Sequence, residues 1–209
     1  MDIGFVLDSS GSLREQYPQI KSFIKRFASS LDISRDGVRV GVVTFSFYAT
    51  LSIKFNDFTD VAIFREAVEE IPLIGSTTRI DRALKVVNED LFNESNGARK
   101  DVTKMLILLT DGSQTKGSDA VDPGKIAKVL RQRDIHIVSV GIGDEVDVDE
   151  LTHITGDEDR VYTVADFDEL ITGRFIRKIV SKSCETGNLK VISDLKIKTL
   201  GRLFILEIF

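Results

Sequence analysis

The chain has 209 residues, of which 42% are apolar and 29% charged, a globular composition that excludes a wholly disordered or fibrous protein. Its 28 basic and 33 acidic residues give a net charge of −5 without a Lys/Arg run, which argues against a nucleic-acid partner. No apolar run reaches the roughly 18 residues of a membrane helix, and the single cysteine, Cys184, excludes an intrachain disulfide.

The first part of the chain alternates between strand and helix patterns. Ile3–Leu7 is a short apolar run that predicts a buried strand, and apolar residues then recur at helical steps from Leu13 to Leu31. Val38–Phe45 and Leu51–Phe55 have the pattern of strands, and a short helix is expected over Phe64–Ile71.

The same alternation continues through the rest of the chain. The predicted elements are a helix over Ile80–Leu91, a strand over Met105–Leu109, a helix from Pro123 to about Arg133, a strand over Ile135–Val140, a short helix over Val148–Ile154, a short strand over Val161–Val164 and a final helix from about Phe167 to Lys182. Apolar strands that alternate with helices indicate a doubly wound α/β fold, a mostly parallel sheet with helices on both faces. Residues 1–184 are expected to form one domain, followed by a tail over residues 185–209.

Residues with short, oxygen-bearing side chains lie in three of the predicted loops. Asp8, Ser10 and Ser12 follow the first strand, Thr78 precedes the middle helix, and Asp111 follows the strand that ends at Leu109. Ligands of doubly wound sheets bind beyond the carboxyl ends of the strands, so these side chains are expected to share one site. Carboxylate and hydroxyl oxygens suit Mg²⁺ or Mn²⁺ and not zinc or copper. For Ser12 taken alone, a helix-capping role is the competing interpretation.

These motifs resemble those of a known family. Asp8-Ser9-Ser10-Gly11-Ser12, directly after the first strand, is similar to the metal loop of von Willebrand factor type A domains and of integrin inserted domains. Gly75-Ser76-Thr77-Thr78 and Leu108-Leu109-Thr110-Asp111-Gly112 resemble the other two loops of the same metal-ion-dependent adhesion site. The resemblance covers nearly all of residues 2–184 and points to domains of extracellular matrix proteins, such as matrilins and type VI collagen.

The resemblance implies a Rossmann-like fold and a function in protein binding, without enzyme activity. The metal ligands that it implies are Asp8, Ser10, Ser12, Thr78 and Asp111. The ion would be Mg²⁺ or Mn²⁺, with Ca²⁺ less suited, and an acidic side chain of a partner protein, such as collagen or another matrix protein, would complete its coordination. Where the family commonly continues T-x-T-G, this chain has Thr78-Arg79-Ile80-Asp81, which retains the threonine and predicts two extra charges beside the rim.

The resemblance also implies an extracellular setting. Met1-Asp2 leads directly into the first strand, and these residues contain no recognisable secretory signal. Many extracellular members of the family have a cysteine at the position of Cys184 that pairs with one just before the first strand. The resemblance therefore implies that Cys184 pairs with a cysteine outside this chain; an unpaired thiol is the alternative. Asn93-Glu94-Ser95 is a glycosylation sequon.

The sequence leaves two other function classes open. Similar domains occur in intracellular chelatase and repair assemblies, which would make this chain a metal-dependent subunit of a larger complex. A phosphoryl-transfer enzyme with Asp8 as its nucleophile is disfavoured, because Ser10 stands where the usual second aspartate would be. The acidic segment 144–159 is expected to be a solvated face, since it lacks the glycine that a calcium loop needs at its sixth position.

Overall fold

A computed structural model describes residues 1–170, 172–176 and 178–179 of the chain. The strands are β1 (Asp2–Asp8), β2 (Arg39–Phe45), β3 (Ala49–Ile53), β4 (Lys104–Thr110), β5 (Ile135–Ile142) and β6 (Val161–Val164). The helices are α1 (Tyr17–Ser29), α2 (Val61–Glu69), α3 (Ile80–Val86), α4 (Pro123–Gln132), α5 (Val148–Thr155) and α6 (Phe167–Leu170), and a π-helical turn over Val87–Leu91 continues α3. The predicted end of the last helix, at Lys182, lies outside the described residues.

The strands form one sheet in the order β3-β2-β1-β4-β5-β6. Every neighbouring pair is parallel except the β2–β3 hairpin. The chain winds outward in opposite directions from β1 and β4, so the topological switch point lies between these two strands. Asp8 of β1 lies opposite Phe45 of β2, and Leu7 lies opposite Leu109 of β4. The segments that follow β1, β2 and β4 therefore leave the sheet at one edge, which we call the carboxyl edge.

Helices cover both faces of the sheet, which confirms the doubly wound architecture. α1, α2 and α6 pack on one face, where the core includes Phe5, and α3, α4 and α5 pack on the other face, where the core includes Val6. Successive side chains of a strand point to opposite faces, so strands that are apolar throughout supply both cores. Phe5 meets Phe27 of α1 edge to face, with ring centroids 5.5 Å apart, a contact that contributes about 0.5–1.5 kcal/mol beyond burial.

The first helix begins later than its apolar pattern predicts. Gly11–Leu13 forms a 3-10 turn, and α1 begins at Tyr17 with Pro18 in its first turn. Leu13 is nonetheless fully buried, because the 3-10 turn directs it into the same core as the apolar face of α1. The residues between β1 and α1 are thereby left to form a loop at the carboxyl edge.

Two glycines let the π-helical turn approach the middle of the sheet. A Cβ atom at Gly4 of β1 would lie 2.6 Å from Leu91 Cδ2, and one at Gly41 of β2 would lie 2.6 Å from Leu91 Cδ1. Leu91 is fully buried and belongs to the core between the sheet and α3. Because Gly4 and Gly41 have no side chains, α3 and its π-helical continuation can lie close to the sheet at these two positions.

Other predictions concern the domain boundary, the tail and the glycosylation sequon. The domain boundary at 184, the tail over residues 185–209 and Cys184 lie outside the described residues. Asn93 is exposed, and its Oδ1 accepts hydrogen bonds from Ser95 N (3.0 Å) and Ser95 Oγ (2.9 Å). Among the helices that the structure describes, none is long and apolar enough to cross a membrane.

Candidate metal centre

Backbone hydrogen bonds join the loop after β1 to the loop before α3. Gly11 N donates to Ser76 O (3.0 Å), and Gly75 N donates to Ser9 O (2.8 Å). Ile74 N donates to Ser9 Oγ (2.7 Å). Gly75 has a positive φ of 78°, which glycine adopts without strain, and this conformation turns the second loop towards the first. The first two predicted metal loops therefore lie side by side.

Asp8 lies at the carboxyl end of β1 and is fully buried. Its Oδ1 accepts a hydrogen bond from Ser10 N (2.8 Å), and its Oδ2 accepts one from Thr110 Oγ1 (2.7 Å). Thr110 is the last residue of β4, so the second bond joins the first predicted metal loop to the third. Burial raises the pKa of Asp8 to about 6, because the hydrogen bonds from Thr110 and Ser10 offset the desolvation only in part and the nearby charge of Asp111 adds repulsion.

The other predicted ligands of the first and third loops are more exposed than Asp8, and exposure increases from Ser10 through Asp111 to Ser12. Ser10 is 2% exposed, and its Oγ lies 3.1 Å from the Oγ of Ser12, which faces solvent. Asp111 is half-buried; burial raises its pKa, and a hydrogen bond from the Ser12 side chain offsets part of that rise. The predicted set of oxygens is therefore enclosed at Asp8 and open to solvent at Ser12.

Thr78 joins the second loop to the segment that follows Asp111. Thr78 N donates to Thr115 Oγ1 (3.1 Å), and Thr78 O accepts from Thr115 N (2.8 Å). The Thr78 side chain is 9% exposed, and none of the hydrogen bonds found among the described residues uses its hydroxyl. The fold thus brings the loops of all five predicted ligands to the carboxyl edge and leaves the Thr78 hydroxyl free to bind an ion.

Asp8 differs from the other buried aspartates of the described chain, because no cation lies beside it. Asp2, at the opposite end of β1, forms an ion pair with Arg99 (2.7 Å), and Asp81 forms one with Arg79 (2.8 Å). No Lys, Arg or His in the described residues forms an ion pair with Asp8. A buried carboxylate that is hydrogen-bonded but lacks a cationic partner is still costly, so this position is chemically suited to a bound cation.

The donor types of the candidate centre indicate the class of cation that suits it. Nowhere in the described part of the chain do three His, Cys, Asp or Glu side chains converge as a metal site. The candidate centre instead combines two carboxylates with three hydroxyls, an all-oxygen set that fits the hard cations Mg²⁺ and Mn²⁺.

Arg79 and Asp81 do not add charge to the rim, contrary to the expectation from the sequence. They are 4% and 3% exposed, and Arg79 Nε and Nη2 donate to the two carboxylate oxygens of Asp81 at 2.9 and 2.8 Å. Burial alone would raise the pKa of Asp81, but hydrogen bonds from Arg79 and Val121 N lower it to about 2. Arg79 Nη1 also donates to Asp119 (3.1 Å). The pair therefore anchors the start of α3, directly after Thr78, to the segment between β4 and α4.

Comparison with known proteins identifies the family. The von Willebrand factor type A domain model matches residues 2–175. The human collagen alpha-6(VI) chain is 36% identical over 170 residues, which cover 81% of this chain and 7% of the collagen chain. Chicken matrilin-1 is 30% identical over 171 residues, which cover 80% of this chain and 33% of matrilin-1. The chain therefore spans only a small part of these relatives.

Solved structures show the same relationship. Proximal thread matrix protein 1 from the mussel byssus superimposes with a TM-score of 0.81 at 26% identity, over 88% of this chain and 48% of that protein. A further structure of the mussel protein, in which zinc occupies the MIDAS motif (the metal-ion-dependent adhesion site), gives a TM-score of 0.79 over the same shares of the two chains. This chain belongs to the von Willebrand factor type A domain family.

Proposed function

We propose that this domain binds a protein partner through a divalent cation at the carboxyl edge of the sheet. The residues that would hold the cation are Asp8, Ser10, Ser12, Thr78 and Asp111. The observation on which the proposal rests is the full burial of Asp8 without a cationic neighbour in the described chain, whereas Asp2 and Asp81 each have an arginine.

The composition of the set favours a cation that remains positive towards solvent. Three of the five side chains are hydroxyls, which bind through oxygen without neutralising charge. The family resemblance implies that one or both aspartates act through water, so the ion keeps much of its positive charge. When bound, Mg²⁺ or Mn²⁺ supplies a positive centre that attracts a carboxylate of the partner. Because Ser12 is exposed, the candidate centre is open to solvent on the side of Ser12. The burial of Asp8 lowers the local dielectric, which strengthens the attraction between the cation and the carboxylate of the partner. A charge-assisted contact of this kind contributes about 1.5–3 kcal/mol, or about tenfold to a hundredfold in affinity.

The relatives support a structural role in an extracellular matrix and not an enzyme activity. The relatives include a collagen VI chain and matrilin-1, and the similar mussel protein is by name a thread matrix protein. We therefore favour a secreted setting and an acidic site on collagen or another matrix protein as the partner, with no nucleic acid involved. A subunit of an intracellular assembly is the alternative; it predicts that binding to matrix proteins is absent at any concentration of Mg²⁺.

Calorimetric titration with Mn²⁺ tests the metal site. Asp8→Ala is expected to remove detectable binding while a circular dichroism melt shows that the chain still folds, because the variant loses the most enclosed ligand. Asp149→Ala, at an exposed position of the acidic segment, is the matched control and should bind Mn²⁺ as the unmodified protein does. Unchanged affinity in Asp8→Ala would remove this residue from the site.

Surface binding to candidate matrix proteins, in Mg²⁺, in Mn²⁺ and in chelator, tests the partner mechanism. Thr78→Ala should weaken partner binding more than metal binding, because its hydroxyl shapes the coordination without supplying charge. Thr163→Ala, an exposed threonine on β6, is the control. Binding that persists undiminished in chelator would contradict a role for the cation in recognition.

A further inference from the structure

A turn with two aromatic residues lies at the carboxyl edge beside the candidate metal centre. β2 ends at Phe45, which lies opposite Asp8 of β1, and the chain then turns into β3. Ser46 N donates to Tyr48 O (2.9 Å), which closes the turn. Phe47 is 36% exposed and Tyr48 is 68% exposed. Both rings therefore face solvent near the strand end that holds Asp8.

Arginines of the neighbouring segment hold this turn in place. Arg82 Nη1 donates to Phe47 O (2.8 Å), and its guanidinium carbon lies 4.2 Å from the ring centroid of Phe47 and 5.5 Å from that of Tyr48. The two rings meet edge to face, with centroids 4.8 Å apart. Arg79 N donates to Ser46 O (3.0 Å), so the turn is also fixed to the residue directly after the predicted ligand in the second loop. Rings that are ordered in advance lose little conformational entropy when a partner binds.

Exposed apolar side chains are concentrated at this edge. In the described chain, seven large apolar residues are exposed, and two of them, Ile63 and Val129, lie within helices α2 and α4. The other five lie on segments that leave or approach the carboxyl edge, or at the start of the helix that follows, namely Phe47, Tyr48, Ile74, Val121 and Val148. Exposed apolar side chains that contact each other are typical of interaction surfaces, and Phe47 and Tyr48 are such a pair beside the candidate metal centre.

The charges at the turn indicate the chemistry of the partner. Arg82 Nη2 donates to Asp119 Oδ2 (2.6 Å), and Arg79 is paired with both Asp81 and Asp119. Because both guanidinium groups are neutralised, the turn offers aromatic surface and not free positive charge. It therefore favours an uncharged aromatic or large aliphatic side chain over a second acidic one. Tyrosine and arginine are enriched at energetically dominant contacts of interfaces, which agrees with this composition.

We infer that Phe47 and Tyr48 form a second contact point for the protein partner. They receive an aromatic or large aliphatic side chain that lies close in sequence to the acidic residue accepted by the metal centre. The inference rests on the proposed function, since the acidic residue brings the partner to this edge. Recognition is then bipartite, with affinity shared between a carboxylate and an apolar side chain.

Selection from a random peptide library displayed on phage tests the inference. The library is bound to the immobilised protein in Mg²⁺ and eluted with chelator. The unmodified protein should select peptides with Asp or Glu next to an aromatic or large aliphatic residue. Tyr48→Ser and Phe47→Ser should still select acidic peptides without the apolar preference, and each should bind a peptide chosen on the unmodified protein about tenfold more weakly. Ile63→Ser, at an exposed apolar position on α2, is the matched control.

The outcomes separate the inference from the proposed function. Acidic peptides without an apolar neighbour, or an apolar preference that survives in both serine variants, would overturn the inference and leave the metal-dependent function standing. A chelator-eluted pool without enrichment of acidic residues would overturn both. A circular dichroism melt and a Mn²⁺ titration on each variant show whether a loss of binding reflects unfolding; of the two variants, Tyr48→Ser changes the more exposed side chain.

Discussion

Asp8→Asn is expected to stabilise the metal-free protein while it abolishes metal binding. The replacement amide has nearly the same shape as the carboxylate. Its oxygen can accept the hydrogen bond from Ser10 N, and its NH₂ group can donate to Thr110 Oγ1, which lies 3.0 Å from Gly112 O and can donate there instead. The substitution therefore removes a buried charge and keeps the hydrogen bonds satisfied.

The expected gain in stability on Asp8→Asn follows from the pKa of Asp8. Burial raises this pKa from its ordinary 3.8 to about 6, which corresponds to a cost of about 3 kcal/mol in the folded state when the carboxylate is ionised. The full cost is present above pH 6, and it fades as the pH falls from 6 towards 4, because the folded state then binds a proton that the unfolded state does not. Asp8→Asn should accordingly raise the free energy of unfolding by about 1–3 kcal/mol at pH 7.5, with the advantage shrinking towards pH 4.5.

Urea denaturation followed by circular dichroism, in chelator at both pH values, measures this difference. In saturating Mn²⁺ the unmodified protein should instead be more stable than the variant, because only the unmodified protein is stabilised by the ion. If the variant is less stable than the unmodified protein at pH 7.5 in chelator, or if the difference does not depend on pH, the carboxylate is not the uncompensated charge that the structure indicates.

Three further predictions concern the metal, the buried ion pair and the domain boundary. Mn²⁺ affinity, measured by calorimetry, should fall below pH 6 and approach a loss of about tenfold per pH unit, since the ion competes with a proton for Asp8; a flat profile down to pH 5 would contradict this. Arg79→Gln should lower the free energy of unfolding by about 3–5 kcal/mol, because it leaves Asp81 buried without its partner, and adding Asp81→Asn should recover part of that loss in urea denaturation. Deletion of residues 186–209 should leave a cooperative thermal melt, and a chain that fails to fold would place the tail in the core.

The elements and the candidate ligands could be predicted because their signals are local. The apolar run of β1 identifies a strand buried on both faces without knowledge of its neighbours. Asp8, Ser10 and Ser12 follow that run directly, so their place at a strand end comes from the chain itself. In the structure Ser10 N donates to Asp8 Oδ1, and the Ser10 and Ser12 hydroxyl oxygens lie 3.1 Å apart, so the three residues lie close together at this strand end. Their role as metal ligands stays a prediction.

The contacts that sequence analysis missed depend on neighbours that are distant in the chain. The hydrogen bond from Thr110 to Asp8 exists because β4 lies beside β1, and the order of strands in a sheet does not follow their order in the sequence. Arg79 and Asp81 resemble surface charges, since such residues are almost never buried without partners. Their burial depends on Asp119, 40 residues beyond Arg79, which the pattern around Thr78 does not reveal.

The close fit of Leu91 over Gly4 and Gly41 constrains how this domain can diversify. Alanine at either glycine would meet the leucine at 2.6 Å and cost about 1–3 kcal/mol through overpacking, whereas Leu91→Ala alone would leave a cavity that costs about 2–5 kcal/mol. The two changes offset each other, because the added methyl group occupies part of the volume that the shorter side chain vacates, and substitutions in contact are not additive. Among descendants of this sequence, we therefore expect positions 4, 41 and 91 to change together and seldom one at a time.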